Sequence, residues 1–252
     1  MQNSDILLLL AVLLPPRALD VIGPVAEERV VETPYGAVGP LAKRMTANGT
    51  AVWIAPYSGS PTRTDPRASV MAARDLGVDR ILNWDRGIAI NPLLRRGHML
   101  IAADYIDWTR DQAFTFQEGG QRGRNPDEVA LRPAFCPHMR AALQKSLPSA
   151  FQGVYLGTDG PRRETAAESR MFRHWGIDVL GQNLVPEVAL AQELGLCYAG
   201  LISVVEYSAD QVAPVFEGEV RHNLEAITAA LPAFIGQVAV PRSCDCGASF
   251  GI

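Results

Sequence analysis

Cysteine is scarce in this chain, four in 252 residues, too few for the disulfide framework that holds a small secreted scaffold. Cys136 and Cys197 stand in apolar or helix-edge surroundings that suit reduced thiols, and a cytoplasmic protein is the expectation. Blocks of one charge are also missing. The 23 basic residues balance 27 acidic ones, with no basic run longer than a pair, which argues against a nucleic-acid polymer or an anionic membrane as partner. Long apolar runs are absent: Ile6–Leu14 spans nine residues, well short of the roughly 20 that cross a bilayer. Asp5 precedes that run and Pro15-Pro16-Arg17 follows it, so it reads as a buried first strand rather than a signal peptide. The four histidines, His98, His138, His174 and His222, are scattered and suggest no metal set. No cofactor motif is apparent. A small molecule or another protein remains as partner.

What is present suits one large α/β domain over residues 1–252: 48% hydrophobic and 20% charged residues, enough for a substantial core. Short apolar runs alternate with amphipathic segments, the pattern of a sheet covered by helices. Asn48-Gly49 suits a hairpin turn into a strand at Thr50–Ala55. Asp65-Pro66 is an N-cap and first helical position, and Gly77 a left-handed stop, so Pro66–Leu76 reads as a helix feeding a strand at Arg80–Trp84. Strands are expected at His98–Ala103, Phe151–Gly157, Asp178–Leu180 and Cys197–Val205. Gln112–Asn125 reads as a loop or flap. Thr165 and Glu168 have capping-box spacing and open a helix to His174-Trp175. A further helix starts near Pro186 and closes at Gly195, and Glu217–Phe234 is the last.

Residues 153–207 narrow the reading. The ordered series Gly160-Pro161-Arg162, Glu164-Thr165, Ala167-Glu168, Met171-Phe172-Arg173, Gly176, Asp178-Val179, Pro186-Glu187-Val188, Leu190-Ala191, Glu193 and Cys197-Tyr198-Ala199 closely resembles the purine nucleoside phosphorylase family. Within it, the likeness is to the branch of 5′-methylthioadenosine and methylthioinosine phosphorylases. Weaker echoes lie at Glu32-Thr33-Pro34-Tyr35-Gly36, Asp104-Tyr105-Ile106-Asp107, Phe135-Cys136-Pro137 and Cys244-Asp245-Cys246. The resemblance implies a twisted mixed sheet flanked by helices, usually assembled as a homotrimer. It also implies a reaction in which phosphate attacks the anomeric carbon of a purine nucleoside and the base departs.

Against that pattern, the phosphate contacts are altered together. The family's Gly-rich turn after the first strand falls on Ala11-Val12-Leu13-Leu14-Pro15-Pro16, where prolines remove N–H donors. Its Arg-His-Gly falls on Pro56-Tyr57-Ser58, and its Thr-Ala-Cys-Gly-Ser on Asp85-Arg86-Gly87-Ile88-Ala89. The Met-Thr pair before Pro-Glu-Val becomes Gln182-Asn183. A charged contact to phosphate contributes roughly 1.5–3 kcal/mol, so such losses make ordinary phosphorolysis doubtful.

The base wall changes less. Glu164 stands where relatives acting on guanine or hypoxanthine nucleosides place a purine-contacting glutamate, and Arg163 replaces a stacking aromatic. Glu206-Tyr207-Ser208 takes the place of a purine-binding Asp-Tyr-Asp. Glu206, Asn183 and Asp85 are therefore the catalytic candidates, and Glu164, Gln182, Arg163, Tyr57 and Ser208 the ligand contacts. Arg162 and Glu168 read as a structural ion pair, Asp85 and Arg86 as either a new polar pair or a solvated turn, and Cys244-Asp245-Cys246 as either a redox-labile pair or an exposed tail. The expectation is a divergent enzyme for a nucleoside or another small cyclic metabolite, working without phosphate. Two alternatives stand: a true phosphorylase that holds phosphate through Arg63, Arg67 or Arg86, and a non-catalytic paralogue.

Overall fold

A computed structural model describes residues 5–15, 17–56, 64–117, 133–211 and 219–247. Nine strands form one mixed sheet in the order β2-β3-β4-β1-β5-β8-β7-β6-β9: β1 Ile6–Leu10, β2 Val25–Thr33, β3 Gly36–Met45, β4 Ala51–Ala55, β5 Arg80–Ala89, β6 Met99–Trp108, β7 Phe151–Thr158, β8 Val179–Gly181 and β9 Cys197–Tyr207. A further parallel pairing of β5 with β9 closes β5, β8, β7, β6 and β9 into a ring, so half of the sheet is a small barrel and the rest an open wing. Five α-helices are described: α1 Pro66–Asp75, α2 Pro137–Ser146, α3 Ala166–His174, α4 Glu187–Glu193 and α5 Glu219–Val238.

The buried run predicted at the start of the chain is β1, paired parallel on both sides with β4 and β5. Its alternate residues serve two cores. Leu7 joins a cluster with α1 and α4, while Ile6, Leu8 and Leu10 join one with α2 and α5, which is why the strand is apolar at every position. Regular pairing stops at Leu10, earlier than expected, and Leu13 is 82% exposed.

Local signals account for most of the helices. Asp65 caps α1 by accepting from Arg67 N at 2.9 Å, and Pro66 opens it. In α3 the Thr165 hydroxyl accepts from Glu168 N while Glu168 accepts from Thr165 N, a complete capping box. Gly77 and Gly176 take the left-handed conformation after α1 and α3, with φ of 71° and 80°. Arg162 grips Glu168 through two bonds of 2.7 and 2.8 Å, the ion pair expected from the sequence.

Other elements departed from expectation. The β2–β3 hairpin and α2 carried no helix or strand assignment from the sequence. Most β2 residues are exposed, so no apolar alternation announces the strand. Helix α5 runs four residues past Phe234. Cys244-Asp245-Cys246 is no exposed tail: both cysteines are half-buried and pack against the α2 and α5 core. Part of the expected 112–125 loop, residues 118–125, lies outside the described residues, and 112–117 are irregular. Among the described residues, no helix is long and apolar enough to cross a membrane.

Removing the α3 cap isolates one local contribution. Thr165→Ala is expected to lower unfolding free energy by about 1 kcal/mol, measured as a shift of the urea midpoint at constant slope.

Candidate active site

The carboxyl ends of β1, β4 and β5 and the segment between β8 and α4 converge on one region, the edge where open α/β sheets place ligands. Asp85 lies on β5, opposite Ile202 of β9, and is fully buried. Four donors surround its carboxylate: Tyr155 Oη at 2.7 Å, Asn183 Nδ2 at 2.6 Å, Arg86 N at 2.8 Å and Asn183 N at 3.3 Å. Burial raises the Asp85 pKa, and these bonds work against it. With every lone pair engaged, Asp85 holds Asn183 and Tyr155 in place instead of reaching a ligand. Asp85, expected to be a catalytic candidate, does not border the adjacent cavity. Burial also drives the Tyr155 pKa up, reinforced by the Asp85 charge, so its hydroxyl stays a donor.

Gly181 permits this network. A Cβ there would sit 2.5 Å from both Asp85 Oδ2 and Tyr155 Oη, so no larger residue fits without displacing the pair.

Beside it lies a cavity of about 280 Å³, bordered by Ala11, Gly39, Asp65, Asn83, Asn183 and Glu187 among others. Among the described residues no lysine or arginine lines it, and Asp65 is spoken for by Arg67 at 2.7 Å. Asn83 donates to Asn183 O and to Tyr198 Oη, which orients its amide; Asn83 Oδ1 and Glu187 Oε2 are buried without a hydrogen-bond partner among the described residues. Burial, then a hydrogen bond opposing it, then the Asp85 charge set the Glu187 pKa, which is raised to about 8. The buried Asp85 carboxyl is thus ringed by donors, and Glu187 keeps its proton at neutral pH.

Glu187 and Asn83 had no role assigned from the sequence. The signal for Glu187 was a lone carboxylate inside the apolar run Leu184-Val185-Pro186-Glu187-Val188-Ala189-Leu190, where the Pro-Glu-Val match to relatives drew attention to family and away from chemistry.

A second concavity of about 670 Å³ adjoins the same stretch of chain, bordered by Val12, Leu13, Arg86, Arg96, Arg163 and Glu206 among others. Glu206 is clamped between Arg86 at 3.3 Å and Arg163 at 3.1 Å, which resolves Asp85-Arg86 against a mutual pair: Arg86 reaches Glu206. Arg163 also donates to Tyr207 O at 2.9 Å. Glu164 borders a different concavity, of about 760 Å³, with Asp159, Gly160 and Arg162; it is buried, its Oε1 accepting from Ala209 N at 2.8 Å and its Oε2 without a partner among the described residues. Ser208 belongs to a different set of contacts. Its hydroxyl donates to Asp210 Oδ1 at 2.9 Å and accepts from Arg173 at 3.3 Å, within the Arg173–Asp210 ion pair, so although it borders the groove its polar capacity is largely used. Gln182 packs against Gly160 and borders none of these concavities. Tyr57 and Arg63 lie outside the described residues.

The structure thus brings together Asp85 with Asn183, and Glu206 with Arg163 and Glu164, while Gln182 and Ser208 stand apart.

Known proteins resemble this chain over nearly its whole length. A family model described as "Phosphorylase superfamily" matches residues 11–236. An S-methyl-5'-thioadenosine phosphorylase from Pyrococcus horikoshii is 32% identical over 230 residues, covering 86% of this chain and 88% of its own. A probable 6-oxopurine nucleoside phosphorylase from Moorella thermoacetica is 34% identical over 245 residues, covering 89% and 90%. Among solved structures, a methylthioadenosine phosphorylase from an antarctic soil metagenomic library superposes with a TM-score of 0.83 at 20% identity, covering 99% of this chain and 91% of that one. One from Schistosoma mansoni in complex with tubercidin gives 0.80 at 21%, covering 95% and 93%.

Two measurements probe this arrangement. Gly181→Ala is expected to cost about 1–3 kcal/mol of stability through overpacking, read by thermal or urea unfolding. Glu187 is ionised above pH about 4.3 when unfolded but holds its proton to about 8 when folded. Its contribution to stability is thus present below pH 4 and is lost progressively up to pH 8. Glu187→Gln should flatten the fall of Tm between pH 5 and 8.

Proposed function

Because the chain belongs to the phosphorylase superfamily, a family of enzymes acting on nucleosides, we propose that it binds a purine nucleoside or a close cyclic analogue and cleaves its N-glycosidic bond with water in place of phosphate. One observation carries this reading: among the described residues no cation lines the cavity beside Asn183, and it is bordered by Asn83 and Glu187, each with a buried oxygen that has no hydrogen-bond partner among them. An unpartnered acceptor such as Asn83 Oδ1 is satisfied by a donor such as water or a sugar hydroxyl.

The groove beside it takes the heterocycle. Arg163 covers the base with its planar guanidinium while holding Glu206 at the rim. Asn83 and Asn183 orient the water and the sugar. The ionised Glu187 carboxylate takes a proton from the water, whose oxygen bonds to the anomeric carbon. The carbon–nitrogen bond breaks with its electron pair going to the base, which collects a proton from solvent. Asp85, behind Asn183, holds the Asn183 amide in place. A homotrimer in the cytoplasm belongs to the same proposal, and light scattering on the pure chain checks the assembly: threefold the chain mass is expected.

The assay uses methylthioadenosine, adenosine and inosine with and without phosphate. Turnover independent of phosphate is expected, with kcat rising to a plateau above pH about 8 as Glu187 ionises, and Glu187→Gln and Asn183→Ala each lowering kcat at least a hundredfold. Turnover that requires phosphate would overturn the reading in favour of a true phosphorylase. Tight nucleoside binding with no product under either condition would favour a non-catalytic paralogue.

A further inference from the structure

The four cysteines of this chain meet at one point. Their sulfurs all lie within 4.8 Å of one another, although they come from three distant parts of the sequence. Cys136 caps the start of α2 and Cys197 opens β9, both buried, while Cys244 and Cys246 flank Asp245 in the closing 3-10 turn. Cys244 Sγ stands 3.6 Å from Cys136 Sγ and 3.5 Å from Cys197 Sγ. A zinc ion with four sulfurs at about 2.3 Å in a tetrahedron separates those sulfurs by about 3.8 Å, whereas a disulfide brings two of them to about 2.05 Å and leaves the others without a reason to converge.

Each sulfur is held by backbone structure. Cys136 N donates to Tyr198 O and Cys197 N to Asp79 O, both at 2.9 Å, fixing the two buried positions to β9 and to the turn before β5. The C-terminal pair is tied down by arginines. Arg242 donates from Nε to Asp79 Oδ2 at 2.8 Å and from Nη1 to Gly195 O at 3.0 Å, and Arg80 donates to Val240 O at 2.7 Å. Arg80 is fully buried and sits opposite Cys197 in the β5–β9 register. Four thiolates around a divalent ion carry a net charge of two minus, and these two guanidiniums place compensating charge beside the segment that supplies half of the ligands. A cavity of about 420 Å³, bordered by Cys136, Cys244 and Cys246, gives an entry path.

From this convergence we propose that Cys136, Cys197, Cys244 and Cys246 form a structural site for one thiophilic divalent cation, zinc by its preference for tetrahedral sulfur. The four thiols release up to four protons to solvent as the ion binds, with no change in oxidation state. The site lies away from the chemistry: Cys197 and Glu206 stand at opposite ends of β9, nine residues apart, or about 30 Å at 3.3 Å per residue. Its effect is to fasten the end of the chain to α2 and to the barrel. None of the four ligands is a histidine, so the scatter of the histidines along the sequence carries no information about this site.

The full chain, purified under reducing conditions without added chelator, is analysed by elemental mass spectrometry and reconstituted with Zn2+ or Co2+ after chelation. About one ion per chain is expected. The cobalt form should show a sulfur-to-cobalt charge-transfer band and the intense visible bands of a tetrahedral thiolate, and Tm should fall on chelation and recover with Zn2+. Cys246→Ser, at the half-buried end of the chain, should reduce Zn2+ affinity at least tenfold while leaving the far-ultraviolet circular dichroism unchanged. Alkylation of the wild type, which depends on no variant, gives a second readout: four protected thiols that all react after chelation support the site. Two disulfides, seen as a mass lower by four hydrogens and no alkylation without reductant, would overturn it. So would four freely reactive thiols with no uptake of either ion.

Discussion

A carboxylate removed from water with no cation beside it has to be satisfied by donors, and Asp85 is satisfied by four. That demand organises the centre of the molecule. Tyr155 on β7 and Asn183 after β8 are drawn to a residue on β5, so three strands of the barrel are joined through one side chain. Gly181 has to be a glycine because the pair it faces leaves no room for a Cβ. The segment from Gly181 to Pro186 is thereby fixed, and with it the amide of Asn183 and the carboxyl of Glu187. Position in the network then divides two buried acids: hydrogen bonds from four donors work against the upward shift of the Asp85 pKa, while Glu187, left with an unpartnered oxygen among the described residues, keeps its proton.

The same scaffold places a different chemistry at its other end. Strand β9 begins at Cys197 and ends at Glu206-Tyr207, so a single element carries a thiol to one pole and an arginine-clamped carboxylate to the other. Neither pole alters the pairing of the strand, whose apolar middle is buried on both faces. A relative that preserved this middle could change either end, which is the sense in which a fold leaves its function open.

The parts of the fold that were legible in the sequence are those whose cause is local. The caps at Asp65 and Thr165, the stops at Gly77 and Gly176 and the Asn48-Gly49 turn each act within a few residues, and they marked α1, α3 and the β3–β4 turn correctly. The β2–β3 hairpin escaped because its exposed face offers no alternation of apolar residues, and α2 because its N-cap, Cys136, makes no side-chain capping bond that a sequence signal would announce. At the site, Asn183, Glu164, Arg163 and Glu206 were marked by comparison with relatives. The direction of their side chains, the engagement of Ser208 by Arg173 and Asp210, and the burial of Asp85 depended on partners far along the chain.

By itself the sequence determined the α/β class and the family, because periodicity, capping and ordered motifs are properties of neighbouring residues. Tertiary structure decided which carboxylate is satisfied and which is not, and that four scattered cysteines share one centre. Those outcomes join residues 70 apart, as in Asp85 and Tyr155, or 108 apart, as in Cys136 and Cys244. Desolvation and hydrogen bonding act on what lies nearby in space, and no spacing along the chain records it.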